Sequence, residues 1–203
     1  ISIENVVGSF FADLITGDSN ANTINSDGGN DTVYGGAGAD IILGESGADT
    51  LYGEDGDDYF RFFNGDWEAG EAIYGGSGTD TLHLFIGSHS IDFTTGTLDS
   101  VERILPNATA AEIVTIFDTQ FAGMFTSIDL SGGTDTLNVV ATGDISGETA
   151  ATLSNIETGN LIGTSSTDVI MLTGSQLDTI IIGSGTINLG SGSGDTINLI
   201  STS

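Results

Sequence analysis

Residues 26 to 61 read SDGGNDTVY, GGAGADIIL, GESGADTLY and GEDGDDYFR, which are four consecutive blocks of nine residues. Aligned at that period, the blocks place glycine in one column, aspartate in a second and a large apolar residue in a third. The columns are Gly29, Gly38, Gly47 and Gly56; Asp31, Asp40, Asp49 and Asp58; and Val33, Ile42, Leu51 and Phe60. A period kept this strictly predicts a stacked architecture in which each block contacts its neighbours.

Composition excludes several classes of protein. The chain of 203 residues has 29 acidic residues, two arginines and no lysine, for a net charge of −27. So negative a surface repels nucleic acid and anionic lipid, and we therefore expect neither partner. With no cysteine, disulfides, zinc–thiolate sites and thiol catalysis are absent. The N-terminal ISIENVV lacks the features of a signal peptide, and no apolar run is long enough to span a bilayer. Because the pattern is under way at both ends, we expect the sequence to be part of a longer protein.

Each block divides into six residues that turn and three that extend. Glycine and aspartate accept turn conformations, and the middle residue of a three-residue strand faces the opposite way from its neighbours. The eighth position should therefore point inward, and two blocks should form one flattened coil of about 18 residues. The inward residues are Ile15, Ile24, Val33, Ile42, Leu51 and Phe60.

Such a coil stacks like charges. Asp31 should lie above Asp49, and Asp40 above Asp58, at about 5 Å, where two carboxylates repel by about 3 kcal/mol at an effective dielectric near 20. Because each block contributes a single inward apolar side chain, we expect the stretch to need a cation in order to fold. The available donors are carboxylate and carbonyl oxygens, which favour Ca²⁺, with its flexible coordination, over transition metals and Mg²⁺.

These blocks resemble the RTX calcium-binding nonapeptide repeats, whose pattern is Gly-Gly-x-Gly-x-Asp-x-U-x. Over residues 85–203 the sequence itself predicts a more irregular, β-rich, solenoid-like segment, so that the whole chain should be all-β. For residues 1–84 the resemblance implies a parallel β-roll with several Ca²⁺ ions bound in the turns. It also implies carboxylate ligands at position six and carbonyl ligands at the first four positions. The implied metal ligands are Asp13, Asn22, Ser26, Asp27, Gly28, Gly29, Asp31, Gly35, Gly36, Ala37, Gly38, Asp40, Gly44, Glu45, Ser46, Gly47, Asp49, Gly53, Glu54, Asp55, Gly56, Asp58, Glu71 and Asp80.

Two early blocks depart from the pattern. The block from Gly17 has Asn20 for glycine and Asn22 for aspartate, which predicts a weaker site. The block from Gly8 carries Phe10 and Phe11, which indicate a cap more than a site.

The period is interrupted between Arg61 and Gly75, where residues 62–74 replace nine residues with thirteen. We expect an outward bulge of four residues near 62–74, with Glu71 completing a calcium shell together with Asp80. Trp67 lies in this bulge and either stacks on a sugar or packs on Phe62 and Phe63 as a lid; the lid is the favoured reading.

Tyr34 and Tyr52 occupy the ninth position of alternate blocks and should stack on one outer face. With Trp67, they are the candidate residues for binding a polysaccharide. An ordinary ladder of like side chains is the favoured reading.

The remaining residues are rich in short alternating runs, which predict strands separated by Gly-Ser turns. TDTLH from Thr79 returns as TDTLN from Thr134, 55 residues later, which indicates a duplicated segment. Residues 110–121 are compatible with one helix or with a pair of strands. Asp135, Asp168 and Asp195 occupy the acidic position of degraded loops and are further candidate calcium ligands.

No catalytic constellation emerges, because His83 and His89 have no partners at the spacing of a triad. The favoured function is a non-catalytic, extracellular calcium-binding module of a larger bacterial protein. By resemblance, such a protein is secreted unfolded through a type I system and becomes rigid on binding calcium outside the cell. Two alternatives remain: a carbohydrate-binding module of a polysaccharide-modifying enzyme, and a surface-layer or adhesin domain that contacts neighbouring copies of itself.

Overall fold

The computed structural model describes residues 4–85, 90–106, 111–117, 120, 124–130 and 135–140, together with the backbone of strands at 152–154, 158–162, 169–173, 186–188 and 196–200. The strands are β1 Asn5–Ser9, β2 Leu14–Thr16, β3 Thr23–Asp27, β4 Thr32–Ala37, β5 Ile41–Leu43, β6 Thr50–Asp55, β7 Tyr59–Phe62, β8 Ala72–Ser77, β9 Thr81–Leu84, β10 Ser90–Asp92, β11 Thr97–Asp99, β12 Arg103–Pro106, β13 Ile113–Phe117, β14 Ser127–Asp129, β15 Thr136–Val140, β16 Thr152–Ser154, β17 Thr158–Ile162, β18 Val169–Thr173, β19 Thr186–Asn188 and β20 Thr196–Ile200. A 3-10 turn at Phe93–Thr95 separates β10 from β11.

The strands form parallel sheets in which sequence neighbours lie in different sheets. The long sheet has the order β1-β3-β5-β7-β9-β12-β14-β16. The N-terminal short sheet has the order β11-β8-β6-β4-β2, and the C-terminal short sheet has the order β10-β13-β15-β17-β19. Strands β18 and β20 form a separate parallel pair. The predicted all-β parallel solenoid is therefore confirmed.

Coil length follows the nonapeptide period. In the repeats, Val33 pairs with Leu51 and Asp31 bonds Asp49, each 18 residues further on. Across the interruption, the step lengthens to 22 residues, so that Leu51 pairs with Ile73. The extra residues lie in the connection between β7 and β8, outside the sheets. The strand pairing on either side of the insertion is therefore uninterrupted.

The core consists of inward side chains from the strands of both sheets, stacked along the solenoid. The inward column of the nonapeptide blocks is buried: Ile24, Val33, Ile42, Leu51 and Phe60 are each 0% exposed. Ile15, nearer the N-terminus, is partly buried against the same cluster. Phe10 and Phe11 are each 78% exposed, so they project from the first turn instead of covering the core. Their role as a cap stays a prediction.

Residues 113–117 form strand β13, so the helical reading of 110–121 is wrong there. Ile113 and Val114 pair with Thr136 and Leu137 of β15, and the long-range ladder overrides the local helix signals.

The duplicated segments form strands in different sheets. Strand β9 belongs to the long sheet, whereas β15, which has the equivalent sequence 55 residues later, belongs to the C-terminal short sheet. The two copies of the duplicated sequence therefore do not occupy equivalent positions in their coils. Within the described residues, no helix has the length and apolar character that a membrane span requires.

Candidate metal centre

Acidic residues stand directly before the strands of the N-terminal short sheet, and we call them the first acidic column. The backbone N–H of Asp13 donates to Oδ1 of Asp31 at 2.8 Å, and that of Asp31 donates to Oδ1 of Asp49 at 2.8 Å. The N–H of Asp49 then donates to Oε2 of Glu71 at 3.2 Å. Each carboxylate is thus held by the backbone of the preceding coil.

A second acidic column stands before the strands of the long sheet, on the other edge of the coil. Asn22 N–H donates to Oδ1 of Asp40 at 2.6 Å, and Asp40 N–H donates to Oδ1 of Asp58 at 2.7 Å. The column continues from Asp58 to Asp80 and from Asp80 to Glu102, at 2.8 Å in both steps. The two columns reproduce the predicted stacking of Asp31 on Asp49 and of Asp40 on Asp58.

The predicted pairing of Glu71 with Asp80 is wrong. Glu71 precedes β8 and stacks on Asp49, whereas Asp80 precedes β9 and stacks on Asp58. Because a coil alternates between the two sheets, residues before consecutive strands lie on opposite edges. Glu71 therefore takes the aspartate position of the first column, and only its side chain is longer.

The second carboxylate oxygen distinguishes these columns from ordinary hydrogen-bonded acids. These oxygens are buried and have no hydrogen-bond partner, although their residues are at most 1% exposed. A buried carboxylate oxygen without a donor is strongly unfavourable, so the columns fit a bound cation. The unpartnered atoms are Oδ2 of Asp31, Asp40, Asp49, Asp58 and Asp80, and Oε1 of Glu71.

The first residue of each column differs from the acids that follow it. Oδ2 of Asp13 accepts from the N–H of Ser9 at 2.7 Å and from its hydroxyl at 2.9 Å. Nδ2 of Asn22 donates to the carbonyl of Gly35 at 3.4 Å and to Oδ1 of Asp40 at 3.1 Å. At Asn22, a neutral donor thus occupies the position where the later coils have only oxygens.

Glycine keeps space open beside the unpartnered oxygens. A Cβ on Gly35 would lie 2.6 Å from Oδ2 of Asp40 and 2.8 Å from the carbonyl oxygen of Gly53. A Cβ on Gly75 would lie 2.5 Å from Oδ2 of Asp80. This space, between a carboxylate of one coil and a carbonyl of the next, would be filled by any side chain. It therefore suits an ion held by oxygens of two coils.

The loops that end in these acids hold the predicted carbonyl ligands. At the second position the backbone is left-handed even without glycine, with φ of 69° at Asp27, 64° at Glu45 and 75° at Glu54. The fourth-position glycines have φ between 115° and 143°. These values require glycine there, because other L residues are strained in that region. The fourth-position residues are Gly29, Gly38, Gly47 and Gly56.

Several loop carbonyls already accept one hydrogen bond from the adjacent coil. Gly29 N–H donates to the carbonyl of Ser46 at 2.9 Å, and Gly38 N–H donates to the carbonyl of Asp55 at 2.7 Å. The Ser26 hydroxyl donates to the carbonyl of Gly44 at 3.1 Å. A carbonyl has two acceptor positions, so these bonds leave one for an ion. The ligand roles predicted for the loop carbonyls stay predictions.

Side chains alone do not make the site. Among the residues described, no group of three or more His, Asp or Glu side chains is arranged to hold a metal. One or two carboxylates with backbone carbonyls are the alternative, and that donor set is the one Ca²⁺ accepts.

The pattern of these loops is a known one. A family model, described as the RTX calcium-binding nonapeptide repeat, matches this chain in 4 copies over residues 2–33, 34–62 and 72–84. The chain contains RTX calcium-binding repeats. RTX repeats bind Ca²⁺ in their turns, so the predicted cofactor is confirmed. The matched residues cover about a third of the chain. A comparison with curated proteins found no match.

Sequence reasoning missed two acids that extend or resemble the columns of the RTX repeats. Glu102 continues the second column, and Glu112 stands before β13 in the same way that Asp31 stands before β4. Both lie outside glycine-rich loops, so the nonapeptide pattern does not reveal them. The available signal was an acid directly before an alternating strand.

Burial and mutual repulsion perturb the carboxylates of the RTX repeats. Burial raises the pKa of Asp58 to about 7, and the neighbouring charges of Asp80 and Asp40 add to the shift. Burial raises the pKa of Asp49 to about 6 and that of Glu71 to about 9. Carboxylates that resist ionisation when no cation is present are the groups that a divalent cation would stabilise.

The tyrosines form a ladder of three rings. Tyr34 and Tyr52 stack at 4.7 Å between ring centres, and Tyr52 and Tyr74 stack at 4.8 Å. The nine-residue spacing did not predict that Tyr74 belongs to this ladder, because the four-residue insertion places it 22 residues after Tyr52 instead of 18. Both faces of Tyr52 are covered by its neighbours, so stacking of a sugar on that ring is not favoured.

Trp67 is engaged within the protein. Its ring packs edge-on against Phe62 at 5.8 Å and against Phe93 at 4.6 Å. Its Nε1–H donates to the carbonyl of Asp92 at 2.9 Å and to the hydroxyl of Thr95 at 3.1 Å. The geometry favours the lid, although Phe93 takes the place predicted for Phe63.

His83 lies on the outer face of the long sheet beside aromatic rings. Its ring contacts Tyr59 at 6.4 Å and Phe85 at 5.3 Å, and Arg61 lies 5.2 Å from the ring centre of Phe85. Burial and the charge of Arg61 lower the pKa of His83. His89, Asp168 and Asp195 lie outside the described residues.

Replacing Asp40 by asparagine should create a second copy of the arrangement at Asn22. Because Gly53 and Asp58 lie one coil beyond Gly35 and Asp40, the new amide should donate to the Gly53 carbonyl and to Asp58. We expect the D40N variant to bind at least one Ca²⁺ fewer and to be more stable than the wild type in chelator, by about 1–3 kcal/mol.

Equilibrium dialysis measures the calcium count, and thermal unfolding in chelator, with the same stabilising osmolyte in both samples, measures the difference in stability. The matched control is D55N, which removes the same charge from the loop of the next coil but keeps the Asp55 carbonyl. An unchanged calcium count in D40N would contradict the role assigned to Asp40.

Proposed function

We propose that the chain is a non-catalytic, extracellular calcium-binding RTX module of a larger bacterial protein. In this proposal the chain is secreted unfolded through a type I system and folds outside the cell on binding calcium. The observation that carries the proposal is the pair of acidic columns, whose buried carboxylates each leave one oxygen without a donor. A chain with such columns is poorly stable without a cation and rigid with one.

The ligands we propose are the column acids from Asp31 to Asp80, including Glu71, with carbonyls of the loops that precede them. The weaker positions are Asp13, whose Oδ2 already accepts hydrogen bonds from Ser9, and Asn22, whose uncharged side chain donates its amide hydrogens to Gly35 and Asp40. When bound, the ion supplies charge neutralisation between successive coils. The protein supplies the positions of the carboxylates, which the backbone N–H groups of the preceding coil hold in place.

Charge and composition support the extracellular setting. The net charge of −27 opposes folding at low calcium, and no disulfide is available as an alternative staple. Extracellular calcium modules work at roughly 10⁻⁴ to 10⁻³ M Ca²⁺. Low calcium inside the cell would keep such a chain unfolded. We further propose that residues 1–84 form the calcium-binding roll and that residues 85–203 form its β-rich extension.

A calcium titration followed by circular dichroism tests this function. We expect little sheet in chelator at neutral pH and a cooperative gain of sheet with a midpoint between about 10⁻⁴ and 10⁻³ M Ca²⁺. Magnesium at the same concentration is the control and should produce a much smaller gain. Full native sheet in chelator would overturn the proposal. Light scattering on the same samples reports whether calcium also assembles copies of the chain, as a surface-layer role requires.

A further inference from the structure

Two acids outside the RTX match lie next to each other in the C-terminal short sheet. Glu112 stands directly before β13 and Asp135 directly before β15, and these two strands are paired. Both residues are 0% exposed. The matched repeats end at residue 84, so nothing in that pattern accounts for a buried carboxyl pair here.

The backbone around this pair repeats the geometry of the acidic columns. Thr136 N–H donates to the carbonyl of Glu112 at 2.8 Å, and Glu112 N–H donates to Oδ1 of Asp135 at 2.8 Å. In the first column, Thr50 N–H donates to the carbonyl of Asp31 at 2.8 Å, and Asp31 N–H donates to Oδ1 of Asp49 at 2.8 Å. The second acid is thus anchored by the first in both places.

Glu112 differs from an ordinary buried acid because neither of its carboxylate oxygens has a hydrogen-bond partner. The strands beside it contribute buried apolar side chains such as Val114 and Leu137. The two arginines of the chain belong to strands β7 and β12 of the long sheet, and neither lies on β13 or β15. A carboxylate buried in this way needs a cation or a proton between it and its neighbour.

We propose that Glu112 and Asp135 bind a divalent cation, Ca²⁺, at a site separate from the RTX repeats. The two side chains offer carboxylate oxygens, which select a hard cation over a transition metal. The site would join two coils of the C-terminal short sheet as the columns join the coils of the repeats. It does not depend on the function proposed for the repeats, since its residues belong to neither column.

The variant E112Q separates a cation from a shared proton. A glutamine amide can donate to the Asp135 carboxylate, so it reproduces the hydrogen bond of a protonated Glu112. If the pair holds calcium, equilibrium dialysis of the full chain should find one ion fewer per chain in E112Q than in the wild type. The rise of the unfolding temperature on adding calcium should also shrink.

An unchanged count together with an unchanged calcium-induced rise in E112Q would overturn the site and indicate a shared proton. The control D99N removes an exposed acid from strand β11 and should leave both quantities as in the wild type. If E112Q fails to fold, D135N is measured in the same way and must lose the same single ion. If instead the repeats do not bind calcium, the wild type itself shows no calcium-induced gain of sheet. That result is distinguishable from the loss of the site at Glu112 and Asp135.

Discussion

In chelator, the RTX repeats are expected to become more stable as the pH falls from about 8 to about 5. Burial raises the pKa of Asp58 to about 7, and those of Asp49 and Asp80 to about 6. In an unfolded chain these groups titrate near 4, so between about pH 4 and 7 the folded state binds more protons than the unfolded state. Its stability therefore falls as the pH rises through that window.

Calcium should reverse the direction of this dependence. Protons and calcium compete for the same carboxylate oxygens, so the calcium-bound form should lose its ion, and with it stability, as the pH falls. The two curves should converge at low pH, because calcium that binds only the folded state adds stability at any pH and adds less of it as its affinity falls. Glu71, whose pKa is raised to about 9 by burial and by the charge of Asp49, extends the loss of stability in chelator into the alkaline range.

Thermal unfolding by circular dichroism at several pH values, with and without calcium, measures both curves. The same concentration of a stabilising osmolyte such as sucrose in every sample keeps the metal-free chain folded enough for a transition to be followed. In chelator we expect a free-energy change of a few kcal/mol between pH 5 and 8, which corresponds to roughly 10–20 °C in the unfolding temperature. The variant D58N should have a shallower dependence in chelator, because it lacks one of the titrating groups. A metal-free unfolding temperature that rises with pH would show that the columns are not buried as carboxylates.

Replacing Gly53 by alanine is expected to abolish calcium binding around Asp58. The added Cβ would meet Oδ2 of Asp58 and would lie 2.5 Å from the carbonyl oxygen of Gly75. Since φ at Gly53 is not positive, the effect arises from occupied space and not from backbone strain. Overpacking of this kind destabilises by about 1–3 kcal/mol, in addition to the lost coordination position.

We expect the calcium midpoint of folding in G53A to rise by at least tenfold, which circular dichroism measures. The matched control is G28A, in a loop of the other edge, where the nearest atom to the new Cβ is the Ser46 hydroxyl oxygen at 3.1 Å. A flexible hydroxyl can move aside, so G28A should stay close to the wild type. Equal midpoints in G53A and the wild type would show that this space does not hold the ion.

The nonapeptide period predicted the fold and much of the candidate site. An inward residue at every ninth position predicted the buried core residues from Ile24 to Phe60, and the aspartate column predicted the stacking of Asp31 on Asp49. Both predictions succeed because each block adds the same length of chain. In a repeat of constant length, a position in the sequence corresponds to one position in space.

Positions beyond the regular blocks needed the structure. The insertion after Arg61 moves Glu71 onto Asp49 and brings Tyr74 onto the tyrosine ladder, and neither follows from the nine-residue spacing. Likewise, the 55-residue duplication places β9 and β15 in different sheets. Once coil length varies, strand pairing and not residue spacing decides which side chains meet.

The amino-acid sequence alone determined that the chain forms stacked coils with acidic edges whose oxygens suit a hard cation, because those properties depend on residue type and period. Only the tertiary structure decided which oxygens lack a donor. Asn22 and Asp40 occupy equivalent positions, and each has one buried side-chain oxygen without a partner. Only Asn22 also carries an amide group, which donates to Oδ1 of the next acid in the column. Hydrogen bonding of this kind depends on contacts between coils, which the order of residues along one coil does not contain.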